Sequence, residues 1–129
     1  MNILVLYAHP VETSFNAGLH KTIVERLTAA GHTVDDCDLY VEDFDPRLTR
    51  QERLDYHNAR GTDDAAAPYV ERLLRAEALV LSYPVWNFGF PAMLKGFLDR
   101  VFLPGVSFKS YEVEFRLNDG PSFEVFARP

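Results

Sequence analysis

The chain has a single cysteine, Cys37, so no internal disulfide can staple it, and a reducing compartment suits it. Cys37 also sits in an acidic run, which raises rather than lowers a thiol pKa and argues against a reactive role. No apolar run approaches the roughly 18 residues needed to cross a bilayer, so no membrane span is expected. Basic residues are the minority, 13 Lys and Arg against 19 Asp and Glu, for a net charge of −6. With no stripe of Lys or Arg to neutralise phosphates, a nucleic-acid partner is not expected. The glycines do not fall into a dinucleotide fingerprint or a Walker A loop. Asp35, Asp36, Asp38, Glu42, Asp43 and Asp45 lack calcium-loop spacing and read as a solvated acidic edge, so no metal site is expected. Met1 leads straight into a strand-like segment with no basic leader, which predicts a cytoplasmic protein.

What remains is an ordinary globular composition, 47% apolar and 25% charged over 129 residues. That length suits one domain, residues 1–129, burying roughly 65–70% of its extended surface. Asn2 to Tyr7 is a short apolar run fit for a buried parallel strand. The loop Ala8 to Asn16 follows, in which Thr13 or Ser14 can cap a helix carrying Leu19, Ile23 and Leu27 and ending at Gly31. A polar loop running into a helix N-terminus is an anion site on physical grounds, although capping alone accounts for its hydroxyls. His32 to Tyr40 reads as a half-exposed edge strand with Val34, Cys37 and Leu39 as its apolar positions. Thr49 with Glu52 three residues on is a capping box for a short polar helix reaching Asn58. His20, His32 and His57 read as surface residues. Gly61 to Asp64 reads as loop, and Pro68 opens a helix to Ala76 with Val70, Leu73 and Leu74 inward.

The most informative stretch is Leu79 to Phe108. Ala78 to Leu81 is fit for a strand buried on both faces. Tyr83-Pro84-Val85-Trp86-Asn87-Phe88-Gly89-Phe90 is a loop with too many aromatics for a plain connector, shaped for a flat partner around a glycine that lets backbone approach. A hydrophobic cluster under the next helix, or a dimer contact, would leave the same residues. Pro91 opens that helix, Ala92 to Phe102, whose stripe is Met93, Leu94, Phe97, Leu98 and Val101, with Lys95, Asp99 and Arg100 off it. Pro104-Gly105 stops it.

The run Tyr-Pro-Val-Trp-Asn-Phe-Gly-Phe-Pro-Ala-Met-Leu-Lys-Gly-Phe-Leu-Asp-Arg-Val-Phe at 83–102 resembles the flavin-contacting loop and helix of the flavodoxin-like NAD(P)H:quinone oxidoreductase family. His-Pro, a short gap, then Ser-Phe-Asn resembles the phosphate loop of the same family. The resemblance implies an α/β fold, a flavodoxin-like three-layer sandwich. It implies FMN or FAD as cofactor, NAD(P)H as co-substrate, a quinone-like acceptor and a homodimer. It carries over His9, Thr13, Ser14, Phe15 and Asn16 as flavin phosphate contacts, and Pro84, Val85, Trp86, Asn87, Phe88 and Gly89 as the isoalloxazine wall. No catalytic proton donor is assigned. Right-handed crossovers give strand order 2-1-3, which brings the two loops together at a topological switch point.

The resemblance covers about residues 2–108 and stops. In Lys109 to Pro129, Tyr111, Val113, Phe115 and Leu117 alternate with charged residues, Asn118 to Pro121 reads as a turn, and Ser122 to Ala127 as a returning strand. An atypical β-hairpin in place of the last strands, covering the open edge of the third strand, is the expectation. The alternative reading of the whole chain is a shortened flavodoxin-like binding or interaction protein without turnover.

Overall fold

A computed structural model of the protein describes residues 1–56 and 65–107, with the backbone of 110–111 and 125–126. Its axis is β1 (Asn2–Tyr7), which pairs in parallel on both sides. On one side lies β2 (Thr33–Asp38), with Ile3 opposite Val34 and Tyr7 opposite Asp38. On the other lies β3 (Ala78–Ser82), with Ile3 opposite Ala78 and Tyr7 opposite Ser82. The order β2-β1-β3 is the expected one. β1 is buried from Ile3 to Tyr7, whereas β3 is half-buried from Ala78 to Leu81 and buried only at Ser82. The expectation of a β3 buried on both faces is thus corrected: it flanks the described sheet instead of lying inside it.

Alternation divides β1 between two layers. Leu4, Leu6 and Ala8 enter a core with Cys37, Leu39, Phe44, Val70, Leu94, Phe97 and Val101. This is the side of α3 (Ala67–Arg75) and α4 (Ala92–Val101). Ile3, Val5 and Tyr7 face α1 (Phe15–Ala29), which stacks His20 flat on Tyr7 with ring centroids 4.1 Å apart. α1 ends in a Schellman motif: Gly31 adopts φ 85°, its N–H reaches Thr28 O, and His32 N–H reaches Leu27 O. None of α1 is fully buried; of its apolar row, Ile23 and Leu27 are half-buried and Leu19 is exposed. In α3, Val70 is inside and Leu73 half-buried, but Leu74 faces outward.

The acidic segment is not simply a solvated edge. Arg72 of α3 binds Asp35 at 2.6 Å and Glu42 at 2.8 Å, and also reaches Asp36 O. Burial opposes its charge, but those hydrogen bonds outweigh it and raise its pKa. Asp36 holds His20 at 2.8 Å, so His20 is a half-buried brace between β2 and α1 and not the surface residue expected. Asp38 Oδ1 accepts from the amides of Tyr40 and Val41, closing the turn after β2. Buried Cys37 has its thiol pushed up to about 12, first by burial and further by Glu42 and Asp35 against the pull of Arg72.

α4 departs most from its sequence pattern. Pro91 is its N-cap residue and not its first turn, and Arg100, off the apolar stripe, is 6% exposed. The cause is α2 (Arg50–Asp55), whose Thr49/Glu52 capping box forms as expected. Glu52 meets Arg100 at 2.6 Å, and Arg100 also donates to Asp45 O and lies over the Phe44 ring. Beside them Gly96 lets Pro46 pack directly on the helix backbone. His57, Asn58 and Gly61–Asp64 lie outside the described residues. So does most of the expected tail hairpin. What is described is β4 (Ser110–Tyr111) paired antiparallel with β5 (Val125–Phe126), a two-stranded sheet separate from the parallel one. Among the described residues no strand extends the parallel sheet beyond β3, so the placement of a tail strand there is not found.

Two stability measurements check this clamp. A Cβ at Gly96 would fall 2.2 Å from Pro46 O, so Gly96→Ala should cost about 1–3 kcal/mol in urea unfolding. Burial of the Glu52 carboxyl raises its pKa, but hydrogen bonds from Thr49 and Arg100 outweigh this and the net shift is downward. Its contribution is therefore complete above the unfolded value of about 4.3 and is lost as pH falls through the lower folded value. Urea midpoints between neutral pH and about pH 3 should show that loss, and Glu52→Gln should remove its share of it.

Candidate functional site

The site begins where β1 ends. Ala8 N–H donates to Ser82 O, which carries the β1–β3 ladder one step into the loop. His9 then turns the chain: its Nδ1 accepts from the Val11 amide at 3.0 Å. Ser14 caps α1, its Oγ accepting from Ala17 N at 3.0 Å and its carbonyl from Gly18 N. The amides of Phe15 and Asn16, the first two of the helix, have no protein acceptor among the described residues, and no acidic side chain occupies the first turn. Free amides and the positive end of the helix dipole make this a place for an anion. Thr13 is exposed in the turn, and the Phe15 ring is 88% exposed above it.

The second wall follows β3. Pro84 is half-buried, and Val85, Trp86, Asn87, Phe88, Gly89 and Phe90 are all exposed. Trp86 and Gly89 exchange both backbone hydrogen bonds, each 3.1 Å, across a two-residue turn. Asn87 at φ 49° and Phe88 at φ 65° give both central residues positive φ, the signature of a type I′ turn. Gly89 itself does not adopt a positive φ; the two residues before it do. Asn tolerates that region, but an aromatic side chain there is strained, and such strain gathers at ligand clamps. No protein atom comes within 4 Å of a Cβ built on Gly89, so the turn presents bare backbone to open space. Tyr83 fixes the far end by an edge-on contact with Phe90, centroids 4.9 Å apart.

The two loops meet at His9 and Trp86, whose rings are 5.6 Å apart. An anion site and an aromatic, backbone-lined wall thus share one crevice at the carboxyl edge of the sheet. Three buried side-chain polar atoms on the elements that carry these loops have no hydrogen-bond partner among the described residues: Asn16 Oδ1 on α1, Ser82 Oγ at the end of β3 and Tyr7 Oη at the end of β1. Buried polar groups are nearly always paired, so these orphans fit a site built for a polar ligand. Among the described residues no group of His, Cys, Asp and Glu is placed to hold a metal. Sequence reasoning missed Tyr7 and Ser82. The signal available was a polar group closing each of two apolar strand runs at the edge where the loops converge.

These residues fit the group that the loop motifs imply. Phosphate is matched by the helix N-terminus, and a flat ring by the wall of Trp86 and the turn beside it. Comparison with known proteins points the same way. A family model described as flavodoxin-like fold matches residues 1–121. The chain is 35% identical over 111 residues to an uncharacterized NAD(P)H oxidoreductase of Haemophilus influenzae, covering 85% of this chain and 54% of that protein. It is 32% identical over 122 residues to the mouse ribosyldihydronicotinamide dehydrogenase [quinone], covering 82% and 53%. Among solved structures, the NAD(P)H:quinone oxidoreductase of Methanothermobacter marburgensis superposes with a TM-score of 0.72 at 35% identity, covering 80% of this chain and 53% of that one. The chain spans about half the length of the curated relatives it matches.

Strain in the turn is open to a direct check. Phe88 is fully exposed, so replacing it removes little packing. Phe88→Gly should raise stability by about 1 kcal/mol in urea unfolding, relief of the positive φ outweighing the added freedom of the unfolded chain. A loss of stability would mean that the ring packs in solution.

Proposed function

This chain belongs to the flavodoxin-like family matched over residues 1–121, and on that premise we propose that it is a flavin-dependent NAD(P)H oxidoreductase with a quinone-like acceptor. The carrying observation is the meeting of His9 and Trp86, which makes one crevice of an anion site and an aromatic wall. In this reading His9, Thr13, Ser14, Phe15 and Asn16 hold the flavin phosphate. The amides of Phe15 and Asn16 supply the strongest contacts, because a charged acceptor roughly doubles the strength of a hydrogen bond. Pro84, Val85, Trp86, Asn87, Phe88 and Gly89 receive the isoalloxazine, through backbone and apolar surface.

Bound flavin would supply two-electron chemistry, taking hydride from NAD(P)H and passing two electrons on to the acceptor. The chain's own work is to position and to exclude water. Trp86 and the I′ turn, closed by the two Trp86–Gly89 backbone hydrogen bonds, present a defined surface, which lowers the ordering entropy that opposes the cofactor. His9, with Nδ1 occupied by the Val11 amide, carries its proton on Nε2 and turns a donor outward. The exposed rings of Trp86, Phe88 and Phe90 leave apolar surface for a planar acceptor, or for a second copy of the chain in a cytoplasmic homodimer. That same exposure, at Val85 and Phe88 above all, favours the second reading, a binding protein without turnover.

The visible bands of oxidised flavin, measured on the purified protein and after adding FMN or FAD, decide between the two. The oxidoreductase reading expects bound flavin that bleaches on adding NADH or NADPH; a protein that takes up neither flavin supports the second. Trp86→Ala should weaken flavin binding with little loss of stability, since a partly exposed indole leaves a small cavity. Asn16→Ala should cost about 1.5–3 kcal/mol of flavin affinity by titration. Ser14 is the poorer probe, because its alanine variant also removes the cap of α1, worth about 1 kcal/mol.

A further inference from the structure

The aromatic wall after β3 hangs between two anchors. At one end Ser82 is fixed by the ladder to β1, its carbonyl accepting from the Ala8 amide. At the other, Pro91 is fully buried and is the N-cap residue of α4. Between them Val85, Trp86, Phe88 and Phe90 are exposed, and the two backbone bonds of the turn join Trp86 to Gly89 within the segment itself. A segment with so little packing of its own takes its position from its ends. Strand register sets the β3 end. The freedom that remains lies in α4.

Leu94, Phe97 and Val101 of α4 are fully buried, but apolar burial is non-directional and lets a helix slide or roll by small amounts. Directional constraint comes from Gly96 and Arg100, four residues apart and so on one face of the helix. At Gly96 the helix backbone lies against Pro46 with no room for a side chain between them. Arg100 donates from Nε to Glu52 Oε1 at 2.7 Å, brings Nη2 to 2.6 Å from the same oxygen, and donates from Nη1 to Asp45 O. A planar guanidinium held by a carboxylate and a carbonyl admits one position along the helix axis and one rotation about it. So deep a pair is a poor source of stability, because well-packed apolar side chains of similar volume often do as well. Its effect is on position. The wall needs such an effect, since Phe88 at φ 65° is strained and persists only where the flanking structure over-determines it.

We propose that Arg100 is a positioning residue for the crevice: through Glu52 and Asp45 it fixes where α4 begins, and thereby the gap between Trp86 and His9. The segment from Phe44 to Glu52 then sets the width of a crevice to which it contributes no wall. The inference rests on the flavin reading for what the wall receives, and not for how the wall is held.

Trp86 is the chain's single tryptophan, so its fluorescence reports the wall directly, with or without flavin. Glu52→Gln combined with Arg100→Met removes both charges, nearly keeps both side-chain volumes and leaves an amide oxygen for the capping box. In the flavin-free full chain this double variant should enlarge the fast component of the Trp86 anisotropy decay. It should also lower the affinity for FAD, FMN and riboflavin by one common factor, about tenfold. A common factor puts the loss at the ring wall, because riboflavin has no phosphate for the other loop to hold. Arg100→Lys keeps the charge without the fork, so it should move both readouts the same way by less, and it stands in if the double variant does not fold. Val34→Ala opens a cavity on the α1 side of the sheet, away from α4, and should lower the melting temperature while leaving both readouts unchanged. Unaltered fluorescence and flavin affinity in a folded variant, or the same changes in Val34→Ala, overturn the positioning role while the flavin reading stands. If the unsubstituted chain takes up none of the three flavins, the flavin reading falls, and the Trp86 fluorescence alone decides the role of Arg100.

Discussion

Everything at the working edge of this protein depends on β1 being hydrogen-bonded on both sides. A strand paired in parallel with two neighbours cannot slide by one residue without turning its buried face to solvent. That constraint sets Tyr7 between Asp38 and Ser82, fixes Ala8 against Ser82 O, and delivers His9 to the side of Trp86. The loops on either side are therefore pre-placed by the sheet, and their short turns add the finer geometry. Binding a phosphate-bearing planar molecule then asks little reorganisation of the chain, which is what a cofactor site requires.

The second support is the clamp behind α4. Arg100, Glu52, Asp45 and Phe44 tie the helix to the segment that follows β2, and Gly96 seats Pro46 against its backbone. A charge pair this deep adds little net stability over an apolar substitute, but its geometry is demanding, so it specifies one helix position. Since α4 starts directly after the aromatic turn, holding the helix holds the turn. The ion pair thereby acts on the site from the opposite side of the core.

How much of this was legible follows the range of each interaction. The strands, their order, the capping box at Thr49 and the cap at Ser14 are local patterns, and the sequence carries them in plain form. Arg100 was misplaced because its burial depends on Glu52, 48 residues away, and no helical periodicity encodes a partner at that distance. His20 and Arg72 were missed as braces for the same reason: Asp36 and Asp35 become their partners only once α1 and α3 pack on the sheet. Within the site, the two loops stood out by composition. The tyrosine and serine at the strand tips did not, because each ends an apolar run and gains its meaning from the register beside it.

The I′ turn at Asn87–Phe88 has a consequence for how this surface can vary in evolution or design. A two-residue hairpin is closed in length as well as in shape. One residue added between Trp86 and Gly89 would convert it to a three-residue loop and redirect the two-residue segment that leads from it into α4. Phe90 and Pro91 would rotate against Trp86, and α4, fixed at its far end by Arg100 and Gly96, could not follow. Side chains here are free to change while the number of residues is not. Variation in what the surface recognises must therefore come by substitution, with insertion closed off by the helix downstream.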